Sequence, residues 1–178
     1  YIFFIILLIY ILIIYEILKY FKNKKFYILI YIFLSFASLL TIKFNSTIFY
    51  KFNLMITIIV SFDIFSYLIG SVLGKTKIMR NISPNKTLEG LIGGVIFSII
   101  ISLVYCIIFE KKIDFLLIIF LILIIISSFL GDVIESTFKR INNLKNSSEL
   151  LLGHGGFFDR FDSFLLSLVT FSLLSKIL

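Results

Sequence analysis

At 178 residues, with 60% hydrophobic and only 15% charged side chains, the chain carries more apolar surface than a water-soluble protein of this size can bury. Lipid must be the solvent for most of it, which excludes an ordinary soluble enzyme. The net charge of +7 resides in short connections between oily runs, and no nucleic-acid partner is expected.

Six hydrophobic segments follow in chain order, at about 1–18, 27–42, 53–73, 88–109, 113–131 and 161–178. A helix needs about 20 apolar residues to cross a ~30 Å hydrocarbon core, and the second and sixth segments are at the short end. Helices are expected throughout, because lipid offers no partner to open backbone groups. The expectation is therefore an all-α, polytopic integral membrane protein of about six transmembrane helices. It is read as one membrane domain, 1–178, with N-terminal spans in 1–59 and the polar motifs in 60–165. The opening run Tyr1–Tyr15 has neither a basic leader nor a small-residue cleavage site, so it does not read as a signal peptide. Cys106 stands alone in an apolar stretch and reads as a packing thiol.

Basic residues set the orientation. Lys19, Lys22, Lys24 and Lys25 follow the first segment. Lys75, Lys77, Arg80 and Lys86 follow the third, and Lys139, Arg140, Lys145 and Arg160 follow the fifth. The opposite connections and the C-terminus carry only Lys43, Lys51, Lys111, Lys112 and Lys176. This asymmetry assigns the first set, and every conspicuous polar motif, to the cytoplasmic side.

The third segment contains Asp63 and Tyr67 on one helix face, with Gly70 and Gly74 continuing the stripe. Glycines four apart are best explained by close helix packing. An acid within a span is different, and should face a polar interior, a cation or a partner. Asn81 to Gly90 follows, with Pro84 as the only proline, expected where the next helix begins. Ser83, Lys86 and Thr87 are placed to offer hydroxyl and ammonium donors to a phosphate near that helix start. An ordinary helix cap explains the same residues equally well.

Gly131 to Arg140 reads as a helical extension of the fifth segment, with Asp132, Ser136, Lys139 and Arg140 on one side. A carboxylate for a divalent ion beside cations for phosphate charge is what phosphoryl transfer requires. Internal pairing of Glu135 with Lys139 is the simpler account of those two residues. His154, Gly155 and Gly156 can form a tight turn whose exposed amides would suit an oxyanion. His154 is the only histidine and no cysteine is near, which argues against zinc. Asp159 and Asp162 are three apart and repel unless a cation or Arg160 intervenes. A cation shared by Asp132 and Asp159 would relieve this.

These residues closely resemble the CTP:phosphatidate cytidylyltransferase (CDP-diacylglycerol synthase) family. The resemblance is carried by Ser136, Lys139, Arg140, Lys145, His154, Gly155, Gly156, Asp159, Arg160 and Asp162 at the family's spacing. Asp63, Tyr67, Gly70, Gly74, Lys75 and the run Ser83 to Gly90 resemble it too. Asn146, Leu152 and Ser71 depart from the pattern. Relatives usually carry more N-terminal helices than the spans in 1–59, which leaves truncation of this set open.

The resemblance implies transfer of CMP from CTP to phosphatidate, giving CDP-diacylglycerol and pyrophosphate. It implies that Asp132 and Asp159 hold Mg²⁺ or another divalent cation, with a second cation as an option. Ser136, Lys139, Arg140 and the turn Ser83–Thr87 would engage phosphates, and Arg160 and Asp162 would orient this shell or bind nucleotide. CTP, phosphatidate and the bilayer are the expected partners, with a homodimer as a possible assembly. The expected location is a bacterial plasma membrane, with the site facing the cytoplasm. The competing readings are a CDP-archaeol synthase, a polyprenol kinase, a transporter, or a membrane scaffold without activity.

Overall fold

The computed structural model describes residues 2–109, 112–151 and 155–176. Among these, six helices run in chain order: α1 (Ile2–Tyr20), α2 (Lys25–Thr41), α3 (Ser46–Leu73), α4 (Leu88–Ile108), α5 (Phe115–Ile141) and α6 (Phe158–Leu174). The fold is all-helical apart from one small hairpin. Three helices, α3, α4 and α5, are long and apolar enough to cross a membrane. One segment start shifts out to a polar cap. α3 starts seven residues before its apolar run, because the Asn45 side chain accepts a hydrogen bond from the Ile48 amide at 2.8 Å. α5 runs on to Ile141, as expected, and ends where Asn143 takes a left-handed conformation, φ 56°.

Two buried clusters hold the helices together. One joins α3, α5 and α6 around Leu54, Met55, Ile58, Phe120, Ile124 and Phe171. The other joins α1, α2 and α6 around Ile13, Ile17, Ile28, Ile32, Phe158 and Leu165. Helix α6 contributes to both. Large apolar side chains such as Phe33, Val72 and Phe115 face outward, the pattern of a lipid-solvated exterior. α4 lies against α3 through small residues. A Cβ on Gly90 would stand 2.6 Å from the Ser66 carbonyl oxygen and 3.0 Å from the Gly70 Cα. The packing account of this glycine stripe therefore holds.

The segment before α4 corrects one expectation. Instead of a loop leading into a helix at Pro84, it forms an antiparallel hairpin of β1 (Lys77–Met79) and β2 (Ser83–Thr87), with Lys77 opposite Thr87 and Met79 opposite Ser83. Pro84 lies within β2. A two-stranded hairpin has only edge strands, so a residue without an amide proton is tolerated there. Thr87 takes the capping role at the start of α4, its Oγ1 accepting from the Gly90 amide at 3.2 Å. Glu89 accepts from the Lys75 amide and the Thr76 amide, each at 3.1 Å, which folds the hairpin back over the end of α3.

Candidate active site

A cavity of about 300 Å³ opens where α3, β2, α5 and α6 meet, with Asp63, Ser83, Lys86, Asp132, Asp159 and Asp162 among its lining residues. Gly131 makes the meeting possible. A Cβ there would stand 2.6 Å from the Asp162 carbonyl oxygen and 3.2 Å from the Ser163 Cα, so only glycine lets α5 and α6 cross at this depth. The crossing sets Asp132 of α5 beside Asp162 of α6. Asp63 arrives from α3, with the Ser163 hydroxyl 3.5 Å from its Oδ1.

Three carboxylates, those of Asp132, Glu135 and Asp162, offer oxygens that all lie within 4.8 Å of one another. Glu135 is fully buried. Two ammonium groups reach the acids. Lys86 of β2 lies 2.7 Å from Asp132 Oδ2 and over the Phe129 ring, 4.6 Å from its centroid. Lys139 lies 2.8 Å from Glu135 Oε2 and 2.6 Å from Asp159 Oδ1. The Glu135–Lys139 pair expected from helix spacing is therefore present, but Lys139 also bridges to α6. Negative charge crowded in a site of low dielectric calls for a cation, and an all-oxygen donor set suits a hard divalent ion. The residues present fit Mg²⁺.

The expected metal pair was Asp132 with Asp159. Both line the same cavity, but the close carboxylate cluster contains Glu135 and Asp162 in place of Asp159. Asp159 has both oxygens engaged. Oδ1 receives Lys139, while Oδ2 accepts from the Ser147 amide at 2.8 Å, the Ser147 hydroxyl at 2.9 Å and the Gly156 amide at 2.8 Å. The amide of Gly156 thus serves Asp159 rather than an external oxyanion. Gly155 sits at φ +80°, and a Cβ there would lie 2.6 Å from Asp159 Oδ2, so both backbone conformation and space require glycine. His154 lies outside the described residues.

The remaining expected residues divide. Ser83 and Lys86 line the cavity with Thr87, whose hydroxyl is already used as the α4 cap. Ser136 donates to Asp132 Oδ1 at 3.2 Å. Arg140 turns away from the acids: its Nε donates to the Ile82 carbonyl at 2.9 Å and a terminal nitrogen to the Leu144 carbonyl at 3.0 Å. Its guanidinium is thus held by the hairpin and by the connection after α5. Arg160 is exposed at the start of α6.

Sequence reasoning missed Glu16. Its carboxylate, on α1, accepts hydrogen bonds from Ser147, Ser148, Phe157 and Phe158, next to Asp159. The signal was available, since Glu16 is the only acid in a helix whose one other charged residue is Lys19.

Known proteins are similar to this chain in sequence. The phosphatidate cytidylyltransferase of Staphylococcus saprophyticus is 46% identical over 114 residues, which is 63% of this chain and 44% of that protein. The phosphatidate cytidylyltransferase of Bacillus subtilis is 41% identical over 110 residues, 61% of this chain and 40% of that protein. The chain thus spans under half the length of the curated relatives it matches. The family model described as the cytidylyltransferase family matches residues 1–178. With that match over the whole chain, and with the acids and lysines of its motifs gathered around one cavity, this chain belongs to the cytidylyltransferase family.

Proposed function

We propose that this chain carries the catalytic part of a phosphatidate cytidylyltransferase, transferring CMP from CTP to phosphatidate and producing CDP-diacylglycerol and pyrophosphate for phospholipid biosynthesis. One observation carries the reading: Lys86, Asp132, Asp159 and Asp162, from three separate elements, converge on a single cavity. The relatives named for this activity support it.

In this reaction a phosphate oxygen of the lipid forms a bond to the α-phosphorus of CTP. The bond from that phosphorus to the bridging oxygen breaks, and pyrophosphate departs with the electron pair. No protein nucleophile is needed, so the chain contributes orientation and fixed charge. Lys86 and Ser83 on β2 are suited to phosphate oxygens, and Lys139 holds positive charge at the mouth of α6. Asp132, with Glu135 and Asp162, would hold Mg²⁺ or another divalent cation, which when bound neutralises charge on the phosphates of nucleotide and leaving group. Asp159 orients Lys139, and Ser136 orients Asp132.

We read all six helices as crossing a bacterial plasma membrane, with the cavity at its inner surface. Contacts among the basic connections support this. The Asn142 side chain accepts from the Lys22 and Asn23 amides at 2.7 and 2.6 Å, joining the α1–α2 connection to the end of α5. Arg140 joins the same end to the hairpin. The three most basic connections thus gather at one end of the bundle.

The deciding experiment supplies purified chain with labelled CTP, Mg²⁺ and either phosphatidate or a polyprenol. The expected result is CDP-diacylglycerol and pyrophosphate with phosphatidate only. Label transfer to the polyprenol, or turnover with neither lipid, overturns the reading.

A further inference from the structure

Glu16 stands one turn from the C-terminal end of α1 and is fully buried. A buried carboxylate is costly unless its oxygens are satisfied. Both of them are. Oε1 accepts from the Phe157 amide at 2.7 Å and the Ser148 hydroxyl at 2.8 Å, and Oε2 accepts from the Phe158 amide at 3.0 Å and the Ser147 hydroxyl at 3.2 Å. Phe157, the residue that opens α6, has no side-chain cap of its own. Glu16 therefore caps α6 from another helix, and its negative charge suits the positive end of the helix dipole.

The donors gripped by Glu16 adjoin those that hold Asp159. Ser147 donates through its amide to Asp159, and its one hydroxyl proton is shared between Asp159 Oδ2 at 2.9 Å and Glu16 Oε2 at 3.2 Å. Gly156, which donates to Asp159, is packed so closely that a Cβ would lie 2.6 Å from both Glu16 Oε1 and the Ser148 hydroxyl. Packing alone does not explain a carboxylate here. Ile13, Ile17 and Phe21 already bind α1 to Phe158 and Leu165 through apolar contact.

We propose that Glu16 is a positioning residue of the site: it locks the Ser147–Ser148 turn to the start of α6 and so fixes where Asp159 and Lys139 stand in the cavity. Its effect on turnover rests on the cytidylyl-transfer reading above. Its effect on the loop does not.

The test uses the full chain in liposomes, with Glu16→Gln, Ser147→Ala and the double variant. Glutamine keeps one carbonyl acceptor and turns an amide nitrogen toward donors. Loss of one buried charge-assisted hydrogen bond predicts kcat lower by about tenfold or more, with KM for CTP unchanged. Because both residues act through one turn, the double variant should fall no further than the worse single variant. Multiplying effects, or a change confined to KM, overturn the proposal.

Hydrogen exchange gives a readout free of activity. The Gly156, Phe157 and Phe158 amides should exchange about tenfold faster in Glu16→Gln, with those of Tyr10–Ile14 unchanged. Persisting protection at 156–158 overturns the proposal. If wild-type chain makes no CDP-lipid while the exchange result holds, the functional reading falls and the positioning role stands. Should Glu16→Gln fail to fold, Ser148→Ala removes one donor to Glu16 and leaves α1 intact. It should speed exchange at 157–158 by roughly threefold, and unchanged exchange there overturns the proposal.

Discussion

Lys86 places its ammonium group 2.7 Å from the carboxylate of Asp132. The two residues come from a short hairpin and from the far part of a membrane-length helix. Both residues line the cavity, so a cation and an acid stand side by side where the proposed reaction brings phosphate and metal together.

The pair is therefore expected to be indispensable in different ways. Asp132→Asn should abolish metal-dependent formation of CDP-lipid, with a loss of at least about 100-fold in kcat, while the protein still inserts. Lys86→Ala should also reduce turnover, with a rise in KM for CTP. Radiolabelled CTP incorporation into lipid checks both, and full activity in Asp132→Asn would remove this acid from the site.

Gly131→Ala should perturb the crossing of α5 and α6. The added methyl meets backbone of α6, at 2.6 Å from the Asp162 carbonyl oxygen, so the helices must part. Overpacking of this kind costs about 1–3 kcal/mol. Thermal unfolding in detergent should show the loss. Activity should fall by more than stability alone explains, because Asp132 and Asp162 separate.

Gly155→Ala should be harmful for two reasons that act together. The backbone there is left-handed, which costs an L-residue roughly 1–2 kcal/mol, and the methyl presses on Asp159 Oδ2. Faster proteolysis between α5 and α6 than in wild type is the expected sign. Gly156→Ala should act similarly without the conformational strain, through the Ser147 and Ser148 hydroxyls and Glu16.

Chelation provides the test of the metal. Turnover should stop when divalent ions are removed and recover fully on adding Mg²⁺. Mn²⁺ binding, followed by electron paramagnetic resonance, should weaken in Asp162→Asn and in Glu135→Gln. If it weakens in Asp159→Asn alone, the ion sits with Asp159 and the three-carboxylate cluster is not its site.

Much of this protein is legible in one dimension because lipid imposes a simple rule. A backbone that cannot bond to solvent must bond to itself, so long apolar runs become helices, and six runs gave six helices among the described residues, with the start of α3 moved out to the Asn45 cap. The acids and lysines were visible as well, since each is costly in such surroundings and stands out for that reason. What periodicity could not supply was the partner of each group. Helix spacing put Arg140 with Asp132, but the hairpin took it through Ile82. It paired Glu135 with Lys139 and could not see Asp159 completing the bridge. The hairpin itself is short and rich in polar residues, and it is held by Glu89 and by Arg140 rather than by any strand pattern.

The amino-acid order alone determined the membrane class, the helices and the polar residues proposed to carry the chemistry. Only the tertiary structure decided that Glu16 meets Phe157, 141 positions away, and which carboxylates face one another. The physical reason is that hydrophobic burial is set residue by residue, whereas the neighbours of a charge depend on how closely whole helices approach. At Gly131 that approach is fixed by the absence of a single methyl group.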